Sequence, residues 1–207
     1  EIRLSLVGSE MCIRDSLMSS HTREIHIQRF DLEGACSWMS GICGPHRLAT
    51  STPERLRFHH SANVFKSRAT TLGVIEYGTD VTFDIEDAEH FSSYSLSLPL
   101  VGEQELSKNG ERLSSNRDQG VILSPNEHQV LAISGDCRKL QVVITRAAMS
   151  ESLEGLLQRP IEAPLRFESV MDAVDGASAS WWRMARYFIA VSYTHLRDHE
   201  TKANLVC

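Results

Sequence analysis

From residue 94 to residue 100 the chain alternates without a break. Tyr94, Leu96, Leu98 and Leu100 fall on one side, and Ser95, Ser97 and Pro99 on the other. A period of two is that of a β-strand whose faces meet different surroundings. Gly102 ends the run. Two polar-rich segments then flank Asn109-Gly110, a dipeptide that supplies the two positive-φ residues of a two-residue type I′ hairpin. Apolar runs follow at 120–124, 128–134 and 140–144, separated by Pro125-Asn126 and Gly135-Asp136. Upstream, residues 56–60 lead into 63–67, and further runs at 71–77 and 81–85 are separated by Gly78-Thr79-Asp80. About eight antiparallel strands at this spacing predict a barrel or jelly roll, which protects its edges by closure.

Other stretches carry a helical period. Residues 30–42 (FDLEGACSWMSGI) predict a short helix that Gly44-Pro45 breaks. After Thr145, the residues Met149, Leu153, Leu156 and Leu157 recur at helical spacing, with Pro160 as the stop. A connector anchored by Leu165 and Phe167 leads to a second helix, starting near Ser169 or Ser178 and running through WWRMARYF (181–188). Strands followed by two helices on one side place the chain in the α+β class.

The two ends read differently. Residues 1–16 and 191–207 back-translate, with suitable codons, into inverted complements of one another, with a mismatch at the Asp198 codon. Both resemble the translated end of a sequencing-library adaptor, and such scars are set aside in fold reasoning. The expected organisation is then a barrel over 18–146 and a helical segment over 147–190, with Met18 as the native start and a break near Ala190.

The whole chain carries 21 Lys and Arg against 27 Asp and Glu, a net charge of −6. No basic cluster stands out, which argues against nucleic-acid contact by this segment. Setting the ends aside leaves Cys36, Cys43 and Cys137, an odd number that predicts free thiols in a reducing cytoplasm. No apolar run approaches the ~20 residues of a membrane span.

Candidate chemistry is sparse. His59-His60 suggests a metal, but adjacent strand residues point to opposite faces and cannot share one ion. His46 and His128 are isolated, and the spacing of Cys36 and Cys43 suits neither a zinc ribbon nor a redox pair. No G-x-S-x-G elbow or phosphate-cradling glycine loop occurs. Neither a metal nor a cofactor is expected. Arg57, Arg68 and Arg112 lie in or near strand patterns, where an inward arginine would need a carboxylate.

In serial order, CGPHRL (43–48), LRFHHSANVF (56–65), TTLGVIEYGTDV (70–81) and YSLSLPLVGEQEL (94–106) resemble the N-terminal effector-binding domain of AraC/XylS-type transcription regulators. GDCRKLQVVITR (135–146), LLQRPIEAPLRFE (156–168) and WWRMARY (181–187) continue the match. The resemblance implies a cupin-like barrel without metal, helices used for dimerisation, and DNA binding by a helix-turn-helix domain that this chain lacks. A small organic effector is expected inside the barrel, lined by Phe83, Ile85, Leu96, Leu98, Val121 and Leu123. An aromatic or aliphatic acid fits an inward Arg57 or Arg68; the alternative puts both arginines on the solvated face. The helical stripe of Met149, Leu153, Leu156 and Leu157 is expected to bury on the barrel or on a partner. Exposed surface near Trp182 and Tyr187 is expected to make the homodimer contact. Two alternatives stay open: a free-standing cupin enzyme, an isomerase or dioxygenase, and a structural β-domain without a ligand.

Overall fold

Asn109 and Gly110 both adopt positive φ, 53° and 83°, which is the backbone of the type I′ turn expected there. They join β7 (Gln104–Lys108) to β8 (Glu111–Ser115). The computed structural model describes residues 22–65, 69–161 and 165–203. The preceding strands are β1 (Thr22–Arg29), β2 (Arg47–Ala49), β3 (Phe58–Phe65), β4 (Thr70–Glu76), β5 (Val81–Ile85) and β6 (Ser93–Val101). Those that follow are β9 (Gln119–Leu123), β10 (Gln129–Ile133), β11 (Arg138–Thr145) and β12 (Val170–Asp172). The helices are α1 (Leu32–Cys43), α2 (Arg146–Leu157) and α3 (Gly176–Ala203).

Every strand pairing is antiparallel among the described residues. One sheet has seven strands in the order β1-β3-β4-β11-β6-β9-β12, and the other five in the order β2-β5-β10-β7-β8. The described residues thus hold twelve strands where about eight were expected for a closed barrel. The strands that no sequence pattern marked are β1, β2 and β12. β2 and β12 are three residues long, too short to show a period. β1 pairs only with β3 at the sheet edge, and its charged residues surround just Ile25 and Ile27.

Two apolar cores result. The first lies between the sheets and takes in Phe58, Ile75, Phe83, Leu106 and Leu131. The second lies between the far face of the seven-stranded sheet and α3, where Trp182 and Ala185 meet Leu72, Leu96, Leu98, Leu140 and Val142. The central strands of the larger sheet are therefore buried on both faces.

Local chemistry sets the helices. Asp31 caps α1 by accepting the Gly34 N–H, and Gly44 ends the helix at φ 109°, a conformation that favours glycine. Ala35, Met39 and Cys43, spaced by four, bury one stripe in the first core. Thr145 caps α2 by accepting from the Ala148 N–H at 3.2 Å. Of the two expected starts, residue 169 belongs to the sheet: its carbonyl accepts from the Ile122 N–H just before β12. The second helix begins at Gly176. The tie between connector and sheet includes Tyr94, whose hydroxyl donates to the Leu165 carbonyl at 3.0 Å. Among the described residues no helix is long and apolar enough to cross a membrane.

Candidate binding site in the barrel interior

Double-sided burial decides which residues of the larger sheet look inward. On β11, Leu140 and Val142 pack beneath α3, so the alternate positions Lys139, Gln141 and Val143 face the space between the sheets. On β6, Leu96 and Leu98 lie beneath α3, and Ser93, Ser95 and Ser97 face inward, all buried. The inner wall on this side is polar and small. The five-stranded sheet brings the apolar Phe83, Ile85, Leu106, Leu131 and Ile133, together with the buried polar residues Gln104, Ser115 and Gln129.

A connected polar chain links the two sheets. The Lys139 ammonium, 3% exposed, donates to Oε1 of Gln104 at 2.9 Å. Gln104 Nε2 donates in turn to Ser97 Oγ at 2.8 Å and to Ser115 Oγ at 3.0 Å. Ser115 Oγ donates to the Gln119 carbonyl at 2.8 Å. Two residues along β11, Gln141 Nε2 donates to Ser95 Oγ at 3.1 Å, while its Oε1 is buried without a hydrogen-bond partner. Burial lowers the Lys139 ammonium to a pKa of about 8, with the thiols of Cys137 and Cys43 pulling weakly the other way. Burial also pushes the Cys43 thiol up to about 12, so it is protonated beside the lysine. Cys36, Cys43 and Cys137 are all free.

A second buried polar contact joins α1 to the sheet. Trp38 Nε1 donates to His60 Nδ1 at 3.1 Å, and burial, aided by His59 and His26, lowers the His60 pKa to about 4. His59 faces the other side, edge-on to His26 with ring centroids 4.6 Å apart. The structure thus separates the two adjacent histidines. No group of three or more His, Cys, Asp or Glu side chains is placed to hold a metal ion among the described residues.

Four of the expected lining residues, Phe83, Ile85, Val121 and Leu123, lie in the core between the sheets. Leu96 and Leu98 do not. Alternation along β6 set its period but not which face pointed where, and the apolar face went to the helix layer. Arg57 does not point inward either. It is exposed, lies over the Phe30 ring at 5.6 Å and donates to the Leu56 carbonyl at 2.7 Å. Arg68 lies outside the described residues. Arg112 is exposed and pairs with Glu105 at 3.5 Å. Among the described residues the cation inside the barrel is Lys139, which sequence reasoning passed over. Its signal was phase: Lys139 and Gln141 alternate with Leu140 and Val142 on a strand with two buried faces.

On the helices, Trp182 is fully buried against the sheet, which removes it from any dimer surface. Its burial follows from the α3 stripe that carries Ala179, Trp182 and Ala185 at spacings of three. Met149 packs partly against the same core, and Leu153 is half-buried. Leu156, Leu157 and Tyr187 are exposed. An open groove of about 760 Å³ lies on the outer face of the five-stranded sheet, along the row Ala49, Thr82, Ala132, Glu105 and Ser114. That sheet separates it from Lys139.

Comparison with known proteins matches this architecture. The model of the AraC-binding-like domain family covers residues 35–205. No curated protein sequence matches the chain. The structure of the AraC-like transcriptional activator CuxR is similar over 89% of this chain and 63% of that one, at 6% identity and a TM-score of 0.53. The chain therefore spans less than two thirds of that protein's length, and the likeness is one of fold. The Cnp3 cupin domain of Schizosaccharomyces pombe aligns at 12% identity over 67% of this chain and 96% of that one, with a TM-score of 0.37. EutQ of Clostridium difficile aligns at 12% identity over 47% and 75%, with a TM-score of 0.35. The fold is an α+β cupin-like jelly roll, and with a family model that runs from α1 through both sheets into α3, the chain belongs to the AraC-binding-like domain family.

Proposed function

We propose that this chain is the ligand-sensing and dimerisation domain of an AraC-type transcription regulator, with a small organic effector bound between the sheets. One observation carries this reading: a barrel interior in which a hydrogen-bonded polar chain, drawn from both sheets, ends on a buried ammonium. A barrel serving only as scaffold is more stable with an apolar core, because polar groups removed from water contribute little net stability and a lone charge costs several kcal/mol. Polar groups converging beside an apolar wall are what a small-molecule site requires. The domain works by binding, not by catalysis, and uses no cofactor or metal.

The effector acts through differential affinity. A ligand that favours one packing of α3 on the larger sheet shifts the equilibrium between two dimer arrangements by that difference and no more. Leu96, Leu98, Leu140 and Val142, which support α3, alternate along β6 and β11 with the inward residues of the polar wall. Each strand therefore touches ligand on one face and the helix on the other. DNA contact belongs to a helix-turn-helix domain, not to this barrel, and the setting is cytoplasmic. The test is hydrogen exchange on the full chain with and without a bound small molecule. Protection spreading from β6 and β11 into α3 is expected. Protection confined to the outer groove along Ala132 and Glu105 would count against a barrel sensor.

A further inference from the structure

The Lys139 ammonium is an uncompensated charge. Among the described residues, no carboxylate oxygen lies within 4.0 Å of its Nζ. Its hydrogen-bond acceptor is a neutral amide, Gln104 Oε1, and the groups whose fields reach it are thiols. An ammonium has three N–H donors. That amide is held from behind by Ser97 and Ser115, which fixes where the charge sits. Gln141 lies two residues further along the same strand face. One end of its amide is held by Ser95 and the other is buried with no partner. Exchanging the amide oxygen and nitrogen leaves one end unspent all the same. Strand rise sets the Cα atoms of Lys139 and Gln141 about 7 Å apart.

We propose that the barrel takes a small carboxylic acid, its carboxylate paired with Lys139, its second polar group on Gln141, and its apolar body against Phe83 and Leu131. The inference rests on the sensor function and adds the chemical class of the ligand. A carboxylate entering beside a buried ammonium replaces the water it gives up with a charge-assisted hydrogen bond, stronger than a neutral one. A neutral ligand of the same shape gains nothing comparable and leaves the ammonium unpaired. Gln141 has Gly73 and then Ala62 as its register neighbours across β4 and β3, so no large side chain stands beside it on that row.

The pairing predicts a proton signature. An ammonium that ionises near pH 8 in the free protein is held protonated by a bound anion, so acid binding at pH 9 draws a proton from the buffer. The experiment is calorimetric titration of the full chain with 4-hydroxybenzoate, 6-hydroxyhexanoate and phenylacetate, each beside its own primary amide. Titrations run at pH 7 and pH 9, in two buffers of different ionisation heat. The expected result is an acid that binds at least about tenfold more tightly than its amide, equivalent to about 1.4 kcal/mol. Proton uptake should appear at pH 9 only. Lys139→Met and Lys139→Gln should both bring the acid down to the level of its amide and abolish the uptake. The uptake is read on the wild-type chain, so a variant that fails to fold does not spoil the test. An acid that binds no better than its amide, or binds without proton uptake, overturns the anion inference and leaves the sensor function standing. If no acid and no amide binds the folded wild-type chain, the sensor function itself fails.

Discussion

The indole Nε1 of Trp38 on α1 donates to Nδ1 of His60 on β3 at 3.1 Å. This bond requires a neutral imidazole with its lone pair on Nδ1. Protonation would lose the acceptor and bury a charge between α1 and the sheet. Burial lowers the folded-state pKa from 6.5 to about 4, so between those values the unfolded chain binds more protons than the folded one. Stability from this group is therefore fully present above about pH 6.5 and is lost as pH falls towards about 4, on the order of 3 kcal/mol in all. Urea denaturation across that window should show the loss, and His60→Gln should remove most of it. A smaller slope should persist from His46 and His59, which burial also lowers. An unchanged pH profile in His60→Gln would show that another group is responsible.

A Cβ added at Gly120 would stand 2.6 Å from Cζ2 of Trp182 and 2.9 Å from the Ser97 carbonyl oxygen. The close seating of α3 on the sheet thus depends on a missing side chain. Gly120→Ala should destabilise by about 1–3 kcal/mol through overpacking. The double variant Gly120→Ala with Trp182→Leu should be less destabilised than the sum of the two single changes. Additive losses would mean that the two residues do not meet.

The hairpin at Asn109-Gly110, the period of β6 and the α1 stripe were legible because each is a local pattern read along a few residues. What could not be read is which face of a strand points where. Alternation of Leu96 and Leu98 with Ser95 and Ser97 is equally consistent with either orientation. The outcome was set by α3, which lies 80 residues or more away and supplies a second apolar partner. The same ambiguity hid Lys139. Arg57 and Arg112 stay outside, whereas among the described residues the cation that enters the barrel sits on β11, the strand flanked by β4 and β6.

Lys139 should leave its own mark on stability. Its folded-state pKa of about 8 lies below the unfolded value of 10.5, so the unfolded chain binds more protons in that interval and stability rises with pH across it. Other groups titrate there as well: burial raises the buried Tyr77 hydroxyl and Cys43 thiol, which opposes the rise. The informative quantity is the difference between wild type and Lys139→Met. The variant should gain relative to wild type below about pH 8, and the difference should fall through zero by about pH 10.5, where only the Gln104 loss remains. The full gap is on the order of 3 kcal/mol, less about 1–3 kcal/mol for the Gln104 oxygen left unbonded. Chemical denaturation at half-unit pH steps would measure it, and a pH-independent gap would contradict the lone buried charge.

The outer stripe of α3 supports the last prediction. Ala179, Trp182 and Ala185 face the sheet. Met184, Tyr187 and Phe188, at i, i+3 and i+4, lie on the opposite face and are 49%, 50% and 43% exposed. In the dimer proposed above, an isologous contact brings this outward face of α3 against the same face of a second copy. This moves the dimer contact expected at Trp182 and Tyr187 half a turn round the helix, onto Met184, Tyr187 and Phe188. Met184→Glu combined with Tyr187→Glu should weaken self-association at least about tenfold, as expected for charges placed at the centre of an apolar contact. Because both side chains are exposed, the melting temperature of the isolated domain should move little. Leu156→Glu on α2, where the side chain is 81% exposed, tests whether the expected α2 stripe shares in the contact. Sedimentation velocity over a concentration series would measure both variants. Unchanged association in the α3 variant alongside loss in Leu156→Glu would assign the interface to α2 instead.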